Sequence, residues 1–140
     1  MNYKKENKMK TIEVVCAVIK DAQGRTFSCK RGPGRANEGK WEFPGGKIES
    51  NETREQSLVR EIKEELKTDI KVIKYITTVE HTYPDMPPYK GFHIIMHAFE
   101  CELIKGNLEL TEHTNKGWFT KEEMEQMPFA EADKPIVKII

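Results

Sequence analysis

The chain has little that would take it out of water. Its longest unbroken apolar run, Val14 to Ile19, is far short of the ~20 residues a membrane span requires. The run is also too short and too rich in β-branched residues for the hydrophobic region of a signal peptide, despite the lysines that precede it. Cysteine is sparse. Cys16, Cys29 and Cys101 form no CxxC pair and leave an odd thiol over, so neither a disulfide framework nor a zinc site is indicated, and free thiols in a reducing cytoplasm are expected. Net charge is missing altogether: 23 basic residues cancel 23 acidic ones. A neutral chain lacks the basic surplus that a nucleic-acid polymer or an anionic membrane rewards, so neither is expected as a partner. What remains is 140 residues, 37% apolar and 33% charged, enough for one globular domain with an adequate core and a heavily charged surface.

Residues 1–8 are polar and lysine-rich and read as a frayed tail, with the domain spanning 9–140. Thr11 to Ile19 is a β-branched run typical of a strand buried on both faces. After the turn Asp21-Ala22-Gln23-Gly24, Arg25 to Lys30 returns as a second strand, which predicts an opening hairpin. Arg31 to Lys40 has loop composition. Beyond Pro44-Gly45-Gly46 the period changes: Leu58, Val59, Ile62 and Leu66 recur at helical spacing, and Thr53 with Gln56 forms a capping-box start. Two long strands follow, Ile70 to Thr82 and Phe92 to Leu103, around a proline-rich loop. Leu108 to Leu110 and Gly117 to Phe119 read as short strands. Thr120 with Glu123 repeats the capping box, and a last helix starts near Lys134 with Asp133 as its cap. Strands, helix, strands, helix in that order predict an α/β (α+β) fold in which a mixed sheet packs between helices, rather than a regular βαβ winding.

The chemistry gathers on the helix after Gly46. Glu61, Glu64 and Glu65 stand at i, i+3 and i+4, so at roughly 100° per residue their carboxylates share one arc beside the apolar stripe. Like charges at this spacing repel by a few tenths of a kcal/mol per pair. Arg60 and Lys67 offer a local offset and would make the run a solvated face. The alternative is a hard divalent cation, Mg²⁺ or Mn²⁺, which prefers oxygen ligands. The wider spacing favours the cation. Gly46, Glu52, Arg60, Glu61, Glu64 and Glu65 lie at fixed offsets in GKIESNETREQSLVREIKEEL, and with 19 glutamates, 5 arginines and 9 glycines available, that constellation arises by chance about once in 10⁴ chains.

The segment resembles the Nudix box, G-x5-E-x7-R-E-U-x-E-E-x-G-U, where U is a bulky apolar residue. WEFPGGKIE before it, the opening MKTIEVVCAVI and the closing stretch around Ala132 to Pro135 are similar to MutT-type Nudix hydrolases. The terminal segments most resemble the CTP pyrophosphohydrolase subgroup. Two box positions depart: Lys67 replaces the late glycine, which suits a left-handed helix cap, and Thr68 replaces the final apolar residue.

The resemblance implies a Nudix fold, an α/β/α sandwich, and metal-dependent hydrolysis of a nucleoside diphosphate linked to another group; for a triphosphate the products are a nucleoside monophosphate and pyrophosphate. It implies Glu61, Glu64 and Glu65 as metal ligands, with the Gly45 carbonyl as a further one. Glu61 is the first choice of general base and Glu112, a second metal or base candidate, the other. Glu52 and Arg60 would form an ion pair that orients these ligands. Arg31 matches a phosphate-contacting arginine, or is an exposed loop residue. Asp133 stands where such enzymes read the nucleobase edge, or is a helix cap. As a carboxylate it would accept from an exocyclic amine such as that of cytosine. Phe43, Tyr89 and Phe92 are candidates for base stacking. His81, His93, His97 and His113 have no compact metal spacing and read as ordinary residues. The expectation is therefore a cytoplasmic Mg²⁺-dependent nucleoside triphosphate pyrophosphohydrolase, monomer or homodimer, acting on CTP, dCTP or an oxidised nucleotide. An ADP-ribose or dinucleoside polyphosphate hydrolase is the alternative enzyme, and a non-catalytic nucleotide-binding module the alternative from another class.

Overall fold

A computed structural model describes residues 9–111 and 113–140, and the expectations for the tail at 1–8 and for Glu112 lie outside them. Among the described residues the elements are β1 (Lys10–Ile19), β2 (Thr26–Arg31), β3 (Trp41–Glu42), β4 (Gly45–Lys47), α1 (Arg54–Leu66), β5 (Asp69–Tyr83), β6 (Phe92–Lys105), β7 (His113–Phe119), α2 (Lys121–Glu125) and α3 (Lys134–Ile139). They form a mixed four-stranded sheet, ordered β4-β1-β6-β5, and a three-stranded sheet, ordered β3-β2-β7. No helix among the described residues is long and apolar enough to cross a membrane.

Strand alternation puts helices on both faces of the larger sheet. Val15, Ala17 and Ile19 of β1, with Phe99 and Cys101 of β6, bury one face against Leu58, Ile62 and Leu66 of α1. Cys16 and Val18, with Met96 and Ala98, bury the other against Met124, Phe129, Ile136 and Val137. The fold is thus the expected α+β arrangement with helices on either side of a sheet. The three cysteines are free and buried.

The predicted opening hairpin does not form. β1 and β2 share only the bridge Lys20 to Thr26. Because β1 is apolar on both faces, it takes the sheet interior, where β4 pairs with it antiparallel and β6 pairs parallel. Both its edges are then occupied, and β2 joins β3 and β7 instead.

Both departures from the box pattern have a visible structural counterpart. The Thr53 capping box starts α1, with both reciprocal hydrogen bonds made. At the other end Lys67 adopts the left-handed conformation (φ 53°, ψ 36°) that glycine would favour, and its N–H donates to the Lys63 carbonyl. Thr68, fully buried, donates from Oγ1 to the Leu66 carbonyl and accepts from the Leu108 N–H at 2.8 Å. This contact anchors Leu108 at φ 52°, a left-handed conformation incompatible with the short strand expected at Leu108 to Leu110. An L-residue in this region costs about 1–2 kcal/mol, part of which glycine returns as greater freedom in the unfolded chain. Lys67→Gly is therefore expected to stabilise the protein by roughly 0.5–1 kcal/mol, a rise of a few degrees in the thermal midpoint. A lowered midpoint would mean that the lysine stem contributes packing that outweighs the strain.

Candidate active site

The segment Trp41 to Lys47 is held from both sides. The Ala17 N–H donates to the Pro44 carbonyl, the Trp41 N–H to Pro128, and the Ala130 N–H to Trp41. β4 then lies against β1 with Cys16 opposite Gly45 and Val15 opposite Gly46. A side chain meets an obstacle at both glycines: a Cβ on Gly45 would fall on the Val15 carbonyl, which is backbone, and one on Gly46 on the Glu61 side chain. The turn and the middle of α1, at Glu61, are therefore in direct contact.

A cleft of about 380 Å³ opens there. Gly45, Gly46, Glu61 and Glu65 line it, together with Glu42 and Glu49, and cations are supplied by Arg31, Arg35 and Lys47. Carboxylates from the helix and cations from β2, the loop after it and β4 thus share one cleft. Glu64 stands outside this wall: its side chain is 60% exposed and pairs with Arg60 at 3.2 Å.

Arg60 binds the acids together. Its Nε and Nη2 donate to the two carboxylate oxygens of Glu52 at 2.8 and 2.9 Å, its Nη1 donates to Glu61 at 3.0 Å, and Nη2 also reaches the Lys47 carbonyl. Ser57 Oγ donates to Glu52 as well. These hydrogen bonds, from Arg60 first and Ser57 next, hold the Glu52 carboxyl at about 2, below its ordinary 4.5. The carboxylates in turn push Arg60 still higher. A depressed acid stabilises the folded state fully above its unfolded value and loses that contribution as pH falls through its folded one. Glu52→Gln is expected to reduce stability above about pH 5, with the difference from wild type shrinking from pH 4.5 toward 2. Denaturant unfolding across that range measures it, and a pH-independent difference would show that the ion pair is not made in solution.

Arg31 lines the cleft, but its guanidinium is engaged: Nε donates to the Ala36 carbonyl at 2.6 Å and Nη1 lies 3.2 Å from Glu42. Asp133 is buried behind Phe43 and accepts from the Phe43 N–H at 2.9 Å. It occupies the N-cap position of α3 without a side-chain cap bond. Burial, then the Glu42 charge, pushes the Asp133 carboxyl well above the ordinary carboxylate range, against the pull of Phe43 and Arg31. Phe43 packs against Phe129 with ring centres 5.4 Å apart and forms part of the cleft wall. Phe92 and Tyr89 line a second cleft of about 460 Å³ with Tyr83 and His81, away from the acids.

Sequence reasoning missed Glu42 and His113. Both line the cleft, and His113 Nε2 lies 2.8 Å from a Glu42 oxygen. Glu42 sits within WEFPGG, where an acid between two aromatics, Trp41 and Phe43, is an available signal. His113 has none, because the β2–β7 pairing that delivers it joins distant parts of the chain.

Residues 10–138 match the NUDIX domain. The chain is 35% identical over 130 residues to the CTP pyrophosphohydrolase of Escherichia coli (strain K12), covering 93% of this chain and 91% of the relative. It is 27% identical over 129 residues to the 8-oxo-dGTP diphosphatase of the same strain, covering 92% and 95%. The solution structure of the E. coli ORF135 protein superposes with a TM-score of 0.74 at 34% identity, over 94% of this chain and 89% of that one. With the domain matched along nearly its whole length and the box acids set around a single glycine turn, the chain belongs to the Nudix family and is a hydrolase of pyrophosphate bonds.

Proposed function

We propose that the protein is a Mg²⁺-dependent nucleoside triphosphate pyrophosphohydrolase that releases a nucleoside monophosphate and pyrophosphate, with CTP or dCTP as its preferred substrate and Mn²⁺ as a substitute ion. The observation that carries this reading is the shared cleft: Glu61 and Glu65 line it beside the Gly45–Gly46 turn, with Arg31, Arg35 and Lys47 as cations. The donor set of Glu61, Glu65 and the Gly45 carbonyl is all oxygen, which fits a hard cation, and Glu112 completes the acids assigned to it, whereas Glu64, expected as a further ligand, stands outside the cleft. When bound, such an ion neutralises phosphate charge and lowers the pKa of water.

The chain's own groups do the rest. Arg31 and Lys47 hold the phosphate oxygens, and Arg60 fixes the Glu61 carboxylate against the turn. Glu61 takes the proton of the attacking water as its oxygen bonds to phosphorus and the phosphoric anhydride bond breaks. Glu112 is the second candidate for that proton. Phe43 forms the wall against which the base rests, with Asp133 holding the Phe43 N–H behind it, and Phe92 offers a stacking face only in the second cleft. Preference for a cytosine nucleotide rests on the similarity to the CTP pyrophosphohydrolase over 93% of this chain. The 27% identical 8-oxo-dGTP diphosphatase supports an oxidised nucleotide as the second reading. The buried free thiols suit a reducing cytoplasm, and the enzyme works as a monomer or homodimer.

The test is hydrolysis at fixed Mg²⁺ of CTP, dCTP, 8-oxo-dGTP, ADP-ribose and a diadenosine polyphosphate, followed by nucleoside monophosphate formation for all five and by pyrophosphate release for the three triphosphates. The highest kcat/KM is expected for CTP or dCTP. Fastest cleavage of ADP-ribose or the dinucleotide would overturn the triphosphate assignment, and binding without turnover of any of the five would favour a nucleotide-binding module.

A further inference from the structure

We propose that Cys29, Glu42 and His113 form a second cation site, one that takes zinc or a comparable transition ion rather than magnesium. The three residues come from the three strands of the smaller sheet. Cys29 of β2 is directly opposite Glu42 of β3, and β7 brings His113 opposite Arg31, two positions further along β2. One ligand atom from each lies within 4.8 Å of the others. Ligand atoms of a tetrahedral zinc ion stand roughly 3.3–3.8 Å apart, so the group closes by small side-chain rotations.

A second observation points to a ligand. The His113 side chain is 2% exposed, and its Nδ1 has no hydrogen-bond partner among the described residues. A buried polar atom left unmet costs about 1–3 kcal/mol; an ion bound at Nδ1 removes that cost, and the ring then keeps Nε2 on Glu42 at 2.8 Å.

The donor types decide which ion. A thiolate, an imidazole and one carboxylate are the borderline-soft set that selects zinc or cobalt, whereas magnesium takes hard oxygen donors and strict octahedral geometry. Binding breaks the Cys29 S–H bond and forms a metal–sulfur bond, and the proton leaves to solvent. Burial first, then the neighbouring Glu42 charge, pushes the Cys29 thiol well up from its ordinary range, so the entering cation must displace its proton. Glu42 and His113 both line the main cleft, which leaves the fourth position open to water or to a phosphate oxygen. Arg31, now 3.2 Å from Glu42, would share or cede that carboxylate while its bond to Ala36 persists.

The site does not depend on the substrate proposed above, because its test reads a spectrum. The full chain is titrated with Co²⁺ in excess Mg²⁺, which keeps the helix acids occupied. One equivalent is expected to give a near-ultraviolet sulfur-to-cobalt charge-transfer band, displaced by Zn²⁺. Cys29→Ser should lose the band, and His113→Gln, which keeps the thiol, should weaken cobalt binding at least about tenfold. Absence of the band in the unmodified protein overturns the proposal, as does a band of full strength in Cys29→Ser, which would assign it to Cys16 or Cys101. Should Cys29→Ser not fold, His113→Gln decides alone, and unchanged affinity there rejects the site.

Discussion

Glu65→Gln is expected to lower pyrophosphate release by about 10²–10³-fold at saturating substrate and Mg²⁺, equivalent to roughly 3–4 kcal/mol of barrier. The thermal midpoint should stay close to that of the unmodified protein. The substitution keeps size and shape and removes only the charge, and Glu65 is a half-buried cleft residue outside the apolar stripe of α1. Glu64→Gln serves as the internal comparison, since it removes the same charge from the same helix on a side chain that is exposed, paired with Arg60 and outside the cleft. Its loss should be at least tenfold smaller. Steady-state rates with quantified pyrophosphate measure both. Turnover of Glu65→Gln within about tenfold of wild type removes Glu65 from the cation site, and equal losses for the two variants would mean that cleft position does not decide a glutamate's role.

The second large effect separates two adjacent glycines. An alanine at position 45 places its Cβ on the Val15 carbonyl and close to the Cys16 backbone. Backbone in the middle of a sheet cannot step aside, because Val15 and Cys16 are paired on both edges of β1. Gly45→Ala is expected to cost more than about 4 kcal/mol and to yield little folded protein. At position 46 the nearest obstacles are the carboxyl group and Cγ of Glu61, part of a side chain that can rotate. Gly46→Ala should fold with a loss near 1 kcal/mol, while displacement of the Glu61 carboxylate lowers kcat by about 10²-fold, the scale expected for a misplacement of roughly 1 Å. Circular dichroism and activity on the two variants give the contrast. A folded, active Gly46→Ala enzyme would show that Glu61 need not touch the turn.

The local elements were legible because their signals are local. The α1 cap, the buried Leu58, Ile62 and Leu66 and the second capping box at Thr120 are set by residues within a few positions of one another, and each forms, whereas Val59, expected in the same stripe, is exposed. The acids too were legible, as a spacing on one helix. What sequence spacing did not show was the difference between Glu64 and Glu65, one residue apart, which arises from where the Gly45–Gly46 turn docks on the helix. The opening hairpin failed for a related reason: proximity in sequence favoured β2 as the partner of β1, but burial on both faces left room only for β4 and β6. Leu108 was misread because a hydroxyl forty residues earlier, Thr68 Oγ1, dictates its backbone. The Cys29, Glu42 and His113 grouping is invisible to any local rule, since three strands must register before it exists.

The parallel pairing of β1 with β6 has a consequence for biogenesis. Lys10 aligns with Phe92 and Ile19 with Cys101, so a nascent chain leaving the ribosome carries its most aggregation-prone strand long before the partner is translated. High contact order of this kind slows folding and prolongs exposure of sticky surface. The β1–β6 ladder therefore cannot close before residues 92–101 have been made.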